Sequence, residues 1–194
     1  MTDIKELFRV IIIKKSSQVF NYYGYKKTTM DDIANAVGKG KSSIYYYFNS
    51  KEEIFKAVVE YEADILRIEL MNSVNEADQI IDKIRNYVLT RMRVYKKVNN
   101  FYKAVTNDML LHLNFIDETR AKYEMLEINL VEDILEEGFL MNKFVVEDSH
   151  LAAIAIVTAL RGLELPLFNN IDEHSFEARL DQLLNVLFMG IIKR

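Results

Sequence analysis

Only six glycines and one proline interrupt 194 residues, and no Val/Ile/Thr stretch alternates strictly with polar residues. Glycine and proline are the strongest helix stops, and strict alternation is the mark of a half-buried strand. A chain poor in both is directed toward an all-α fold. Half of its residues are hydrophobic, which suits a packed core and is too many for a disordered chain. The length supports one or two domains.

Apolar residues at 4, 7, 8, 11, 12, 19, 20 and 23 recur at close to a 3.6 period, which predicts a first helix over 4–23. Gly24 ends it, because glycine accepts the left-handed turn at a helix C-terminus. Thr29 is placed to cap a second helix over 30–37. Gly38-Lys39-Gly40 is a turn, and a third short helix follows over 41–48. Asn49 and Ser50 break that helix, and Ser50 with Glu53 has capping-box spacing at the start of a fourth, 51–73. Five more are predicted near 76–97, 100–112, 115–137, 147–167 and 173–192, about nine in all. Their breaks are Asn75, Asn99-Asn100, Asn114, the stretch from Gly138 to Lys143, and Asn169-Asn170. Gly138 reads as a C-terminal cap, and Pro166 falls near a helix end, where it does little harm. Nothing resembling a repeat or flexible linker separates these segments. The domain boundary is therefore expected at the fourth helix, giving domains 1–50 and 51–194.

Composition narrows the function classes. The chain has no cysteine, which excludes disulfides and Cys-ligated metal sites. The longest apolar run, 151–160, falls short of the ~20 residues a bilayer span needs. The first residues lack the pattern of a cleaved signal, with Lys14 and Lys15 following a very short apolar run. A cytoplasmic location is the expectation. Charge is unevenly divided. Residues 1–56 hold ten basic and six acidic side chains, net +4, and the remainder nets −8 within a total of −4. A basic head on an acidic body is suited to meeting a polyanion.

The second and third helices, joined by a tight glycine turn, have helix-turn-helix spacing. Ile33, Ala34, Val37, Ile44 and Phe48 supply the buried side. Lys41, Ser42, Ser43, Tyr45, Tyr46 and Tyr47 point outward, and such cations, hydroxyls and phenols suit phosphates and base edges. Lys51 opens the next helix, where an ammonium and free backbone N–H groups favour a phosphate.

These residues also follow a known pattern. Phe20, Gly24-Tyr25, Thr28-Thr29, Ile33-Ala34, Gly38, the run Ser43 to Phe48, and Lys51-Glu52-Glu53-Ile54 are similar in order and spacing to the TetR family of bacterial repressors. The likeness covers about residues 9–56. It implies a homodimer with an N-terminal DNA-binding domain and a helical C-terminal domain holding a small-molecule effector. It further implies that Thr29, Tyr46 and Lys51 meet phosphates. Lys41, Ser42 and Ser43 would face base edges in the major groove, and Tyr45 would pack on a thymine methyl or bond a phosphate. Two alternatives stay open: Thr29 as a cap only, and Tyr45 and Phe48 as core. The sequence departs from the pattern where the family's turn usually reads Gly-Val-Ser. Gly40 replaces the serine cap at a cost of about a few tenths of a kcal/mol, Ser42 stands where glycine is frequent, and Lys39 is free to add a phosphate contact.

The last two predicted helices carry an apolar stripe and the small residues Ala152, Ala153, Ala155, Ala159 and Gly162. With the resemblance, this points to a dimer interface through 147–167 and 173–192; without it, an ordinary monomer core is the simpler reading. Polar residues inside apolar stretches are the candidate effector contacts: Tyr87, Arg91, Tyr95, Tyr102, Asn107, His112, Thr158 and Arg161, with the tyrosines equally readable as core residues whose hydroxyls are satisfied. Met92, Met109 and Met125 could make a pliable lining. Arg161 interrupts an apolar run and needs a partner, either a ligand anion or Glu164 at i+3. His112, His150 and His174 lack metal-ligand spacing, and no phosphate loop or nucleophile elbow is present. Pairs such as Glu132-Asp133 and Glu136-Glu137 read as a solvated face. The sequence therefore points to a ligand-responsive regulator, most simply a repressor on palindromic operator DNA, without cofactor, metal or catalytic activity. The alternative is an all-α carrier or partner-binding protein whose main site is the C-terminal domain.

Overall fold

Helix signals in the sequence become helices in the computed structural model, which describes residues 2–94, 97–106, 113, 115–168, 182 and 184–186. Among the described residues the helices are α1 (Thr2–Tyr23), α2 (Met30–Val37), α3 (Lys41–Tyr45), α4 (Lys51–Asn75), α5 (Ile80–Val94), α6 (Asn99–Thr106), α7 (Phe115–Leu140) and α8 (Ser149–Phe168). Residues 182 and 184–186 are helical too; most of the helix predicted over 173–192 lies outside the described residues. The chain divides into two units. One holds residues up to Ile65 together with Tyr95–Ala121, the other Leu66–Val94 together with the residues from Lys122 onward.

In the first unit α1 buries Ile12, Ile13, Ser16, Val19 and Phe20, a stripe of period close to 3.6, and leaves Ile4, Leu7 and Ile11 exposed. Phe55 of α4 sits among aromatic neighbours, with ring centroids 5.0 Å from Phe20, 4.6 Å from Tyr25 and 6.2 Å from Phe115. Burying such a ring contributes roughly 1.5–3 kcal/mol. Glu62, on the same stripe of α4, is fully enclosed. It accepts hydrogen bonds from the Ser17 hydroxyl (2.7 Å), the Asn100 amide side chain (2.6 Å) and the backbone N–H groups of Asn100 (2.8 Å) and Phe101 (3.0 Å). One carboxylate thus caps the N-terminus of α6 and ties it to α1 and α4.

In the second unit α5 buries Ile80, Ile84, Tyr87, Val88, Arg91, Met92 and Val94. Four glutamates of α7 reach across to other helices. Glu127 meets the guanidinium of Arg91 and accepts from the Tyr87 hydroxyl at 2.7 Å, and Glu137 meets Lys83 at 2.6 Å. Glu124 pairs with Arg161 at 2.9 Å, and Glu132 with His150 at 2.8 Å. The face read as solvated is therefore partly a set of interhelical clamps: only Asp133 and Glu136 remain exposed.

Several boundaries move for identifiable reasons. α3 is shorter than 41–48, closing at Tyr45 with Tyr46 and Tyr47 in a turn. α5 begins at Ile80 rather than 76, because the carbonyl of Gln79 accepts the first helical bonds from Asp82 and Lys83. Ser50 accepts from the Glu53 N–H at 3.1 Å, but Glu53 reaches back to Asn49 (2.7 Å to its N–H) in place of Ser50, a capping box displaced by one residue. Gly138 is not a cap. α7 continues to Leu140, and the left-handed residue is Asn142, with φ 58°.

Gly138 instead makes room for the buried ring of Phe144, whose backbone N–H also returns to the Gly138 carbonyl at 3.1 Å. A methyl group there would overlap that ring. Gly138→Ala, normally favourable inside a helix by about 1 kcal/mol, is expected here to destabilise by about 1–3 kcal/mol through overpacking. Urea unfolding of the variant checks the sign.

His150 is exposed and its pKa is raised, first by the hydrogen bond to Glu132 and then by that carboxylate's charge. A raised folded pKa makes the pair's stabilisation complete below the ordinary histidine value of about 6.5. It is lost as pH rises through the folded pKa. An NMR titration should find His150 above the ordinary value, and Glu132→Gln should bring it down.

Candidate nucleic-acid interface

The helix-turn-helix is shaped by three local devices. Gly24 (φ 77°) and Gly38 (φ 72°) take the left-handed conformation that ends α1 and α2. Thr29 caps α2: its hydroxyl accepts from the Asp32 N–H at 3.2 Å, while the Asp32 carboxylate accepts from the Thr29 N–H at 2.8 Å. The same hydroxyl donates to Asp32 at 2.6 Å, holding that carboxyl below its usual pKa. α3 starts at Gly40 without a side-chain cap, and Lys39 is exposed beside it.

Ile33, Ala34, Ile44 and Phe48 are buried and Val37 half-buried, as the helix-turn-helix pattern requires. The opposite side of α3 carries Lys41, Ser42, Tyr45 and Tyr46, all exposed, with Ser43 half-buried. Tyr45 is 45% and Tyr46 68% exposed, so neither is core. Tyr47 packs against Phe8 of α1, with ring centroids 5.1 Å apart. The Lys41 ammonium lies 2.9 Å from Asp31, whose hydrogen bond and charge raise its pKa. Any anion approaching this cation would therefore compete with one surface carboxylate.

Two expected phosphate ligands are engaged internally. The one hydroxyl proton of Thr29 goes to Asp32, which leaves none to donate to a phosphate. Lys51 turns inward: its ammonium donates to the carbonyls of Tyr25 (2.8 Å) and Thr28 (2.9 Å) and stands 4.5 Å from the centre of the Tyr25 ring. Burial lowers its pKa. It locks the α1–α2 loop, whose far end Thr28 also fastens through a 2.8 Å bond to the Gly24 carbonyl.

The expected effector residues divide. Tyr87 and Arg91 converge on Glu127 inside the second unit. Arg161 pairs with Glu124 of α7 rather than along its own helix. Thr158 and Met125 are exposed, whereas Met92 is buried. Tyr95, Asn107, Met109, His112 and the side chain of Tyr102 lie outside the described residues. Glu62, Glu124 and Glu127 were not foreseen, although Glu62 and Glu127 stand at helical spacing among buried apolar positions. Among the described residues no group of three acidic or histidine side chains could hold a metal, and no helix is long and apolar enough to cross a membrane.

An exposed cation, hydroxyl and phenol row on the second helix of a helix-turn-helix is the arrangement with which DNA-binding regulators meet the major groove. Comparison with known proteins agrees. Residues 12–58 match the family of bacterial regulatory proteins known as tetR. An HTH-type transcriptional regulator in the lacX 3′ region of Lactococcus lactis subsp. lactis is 26% identical over 177 residues, 89% of each chain. The HTH-type negative regulator IcaR of the Staphylococcus aureus biofilm operon icaADBC is 27% identical over 154 residues, covering 69% of this chain and 83% of IcaR. Among solved structures, a transcriptional regulator from Cytophaga hutchinsonii shares the fold, with a TM-score of 0.76 at 24% identity over 94% of this chain and 97% of that one. Residues 12–58 thus carry the tetR-family domain, and the proteins this chain resembles along most of its length are transcriptional regulators.

Proposed function

We propose that the protein is a homodimeric, ligand-responsive repressor in the cytoplasm that binds a palindromic operator. The observation that carries this reading is the exposed row on α3. Lys41, Ser42 and Ser43 read base edges, Tyr45 packs on a thymine methyl or a phosphate, and Tyr46 and Lys39 meet phosphates. Thr29 and Lys51 act one step back, fixing the start of α2 and the loop before it. The functional boundary stays near residue 50, with 51–194 serving effector binding and dimerisation. Repression follows the likeness to the negative regulator IcaR.

Support for the dimer comes from α8. Leu151, Ala155, Thr158, Ala159 and Gly162 are all exposed on one face of that helix. Small residues at such spacing let a second helix approach closely, which suits pairing through 147–167 and 173–192. A two-fold dimer would set its recognition helices about 34–36 Å apart, one turn of the duplex. The effector acts by favouring a conformation with another spacing, a coupling that is reciprocal between ligand and operator. An anionic effector at Arg91 or Arg161 would have to displace Glu127 or Glu124, so ligand exchange for a carboxylate is the chemistry those sites allow.

Fluorescence anisotropy on DNA tiled across the gene's own upstream region tests the reading. It expects one tile bound far more tightly than random duplex, with two chains per site. Equal, weak binding to every tile and to random duplex would favour the carrier or partner-binding alternative.

A further inference from the structure

The first turns of α1 lie against the residues just after α3 through three successive contacts. The Lys5 ammonium stands 4.9 Å from the centre of the Tyr46 ring, the Phe8 and Tyr47 rings are 5.1 Å apart, and the Arg9 guanidinium lies 4.8 Å from the Phe48 ring. Phe8 and Tyr47 are half-buried and Phe48 is fully buried, so this junction is packed and holds α1 in register with α3. Arg9 is also within 4.0 Å of Glu6. Lys5 differs, because both it and its ring partner Tyr46 remain exposed.

We propose that Lys5 is a DNA-phosphate contact, held beside the recognition helix by the Tyr46 ring, so that the first turn of α1 belongs to the DNA-binding surface. This rests on the reading of Tyr46 as a phosphate-facing phenol. A cation resting on an aromatic face keeps its charge and most of its hydration. It can therefore turn to a phosphate oxygen that approaches the neighbouring hydroxyl. The contact is with the backbone of the duplex and carries no sequence information. Lys5 thus adds affinity evenly across sequences, whereas Lys41 and Ser43 discriminate among them.

The test measures operator and random-duplex binding against salt for wild type, Lys5→Gln, Lys15→Gln, Tyr46→Ala and Lys5→Gln/Tyr46→Ala. Lys15 is exposed on the same helix and controls for net charge. The log–log salt slope should fall by about 0.9 for each Lys5 removed. Operator and random duplex should weaken by the same factor, and Lys15→Gln should leave the slope unchanged. In the Tyr46→Ala background, Lys5→Gln should have a smaller effect than in wild type, because the ring that holds the ammonium is gone. A Lys5→Gln slope equal to wild type, or an equal fall in Lys15→Gln, would overturn the assignment while leaving the regulator reading intact. No salt-dependent binding by wild type to any duplex would overturn both.

Discussion

Glu127→Ala is expected to destabilise the protein by about 3–5 kcal/mol, the usual cost of breaking a buried ion pair from one side. The carboxylate is 9% and the Arg91 side chain 3% exposed, and the Tyr87 hydroxyl donates to the same oxygen. Removing it takes a carboxylate from beside a buried guanidinium that cannot lose its proton. Glu127→Gln keeps the volume but not the charge and should fall between wild type and alanine. Replacing Arg91 and Glu127 together with apolar residues of similar size should recover much of the loss, since the pair's own desolvation cost also disappears. Urea unfolding of the four proteins reads these differences. A Glu127→Ala midpoint within error of wild type would mean that the buried pair is not formed in solution.

Glu62→Ala should have a comparable effect in the other unit, roughly 3–5 kcal/mol. The variant would remove the acceptor of two backbone N–H groups at the start of α6 and of the Ser17 hydroxyl, and one acceptor of the Asn100 amide, which also bonds Ser17. Each buried donor without an acceptor costs about 1–3 kcal/mol. Amide hydrogen exchange adds a local signature: protection at the Asn100 and Phe101 amides should drop before that of the α1 core. Glu62→Asp, one methylene shorter, should lose part of the same protection. Unchanged exchange at those amides would show that α6 is capped by something else.

Local determinants of the fold were legible in the sequence, and distant ones were not. Gly24, Gly38 and Thr29 were legible because each acts through its own backbone preference or a partner three residues away. The outward row of α3 was legible for the same reason, since five residues suffice to set which side chains share a face. Gly138 misled, because a helical glycine admits two explanations: a left-handed cap or a close approach. The sequence does not show Phe144 coming near. Glu62 and Glu127 bond partners 36 to 45 residues away, which no local pattern encodes. A signal did exist. Glu62 continues the buried series Phe55, Val58, Val59 and Leu66, and Glu127 continues Tyr123, Val131 and Ile134. A carboxylate on an apolar stripe needs a buried partner, and the acidic surroundings of both residues concealed that. Lys51 shows the converse: its position at a helix start suits a phosphate, while three loop carbonyls, distant in sequence, also receive its ammonium.

DNA recognition is assigned to the exposed row of α3. The most direct measurement is the affinity of the Lys41→Ala/Tyr45→Ala variant for the bound upstream tile, across several salt concentrations, beside wild type. Both side chains are exposed, so the fold should be unaffected, which a thermal melt verifies. The variant is expected to lose its preference for the tile over random duplex, because the side chains assigned to base reading are gone. A variant that still selects the tile with wild-type affinity would contradict that assignment.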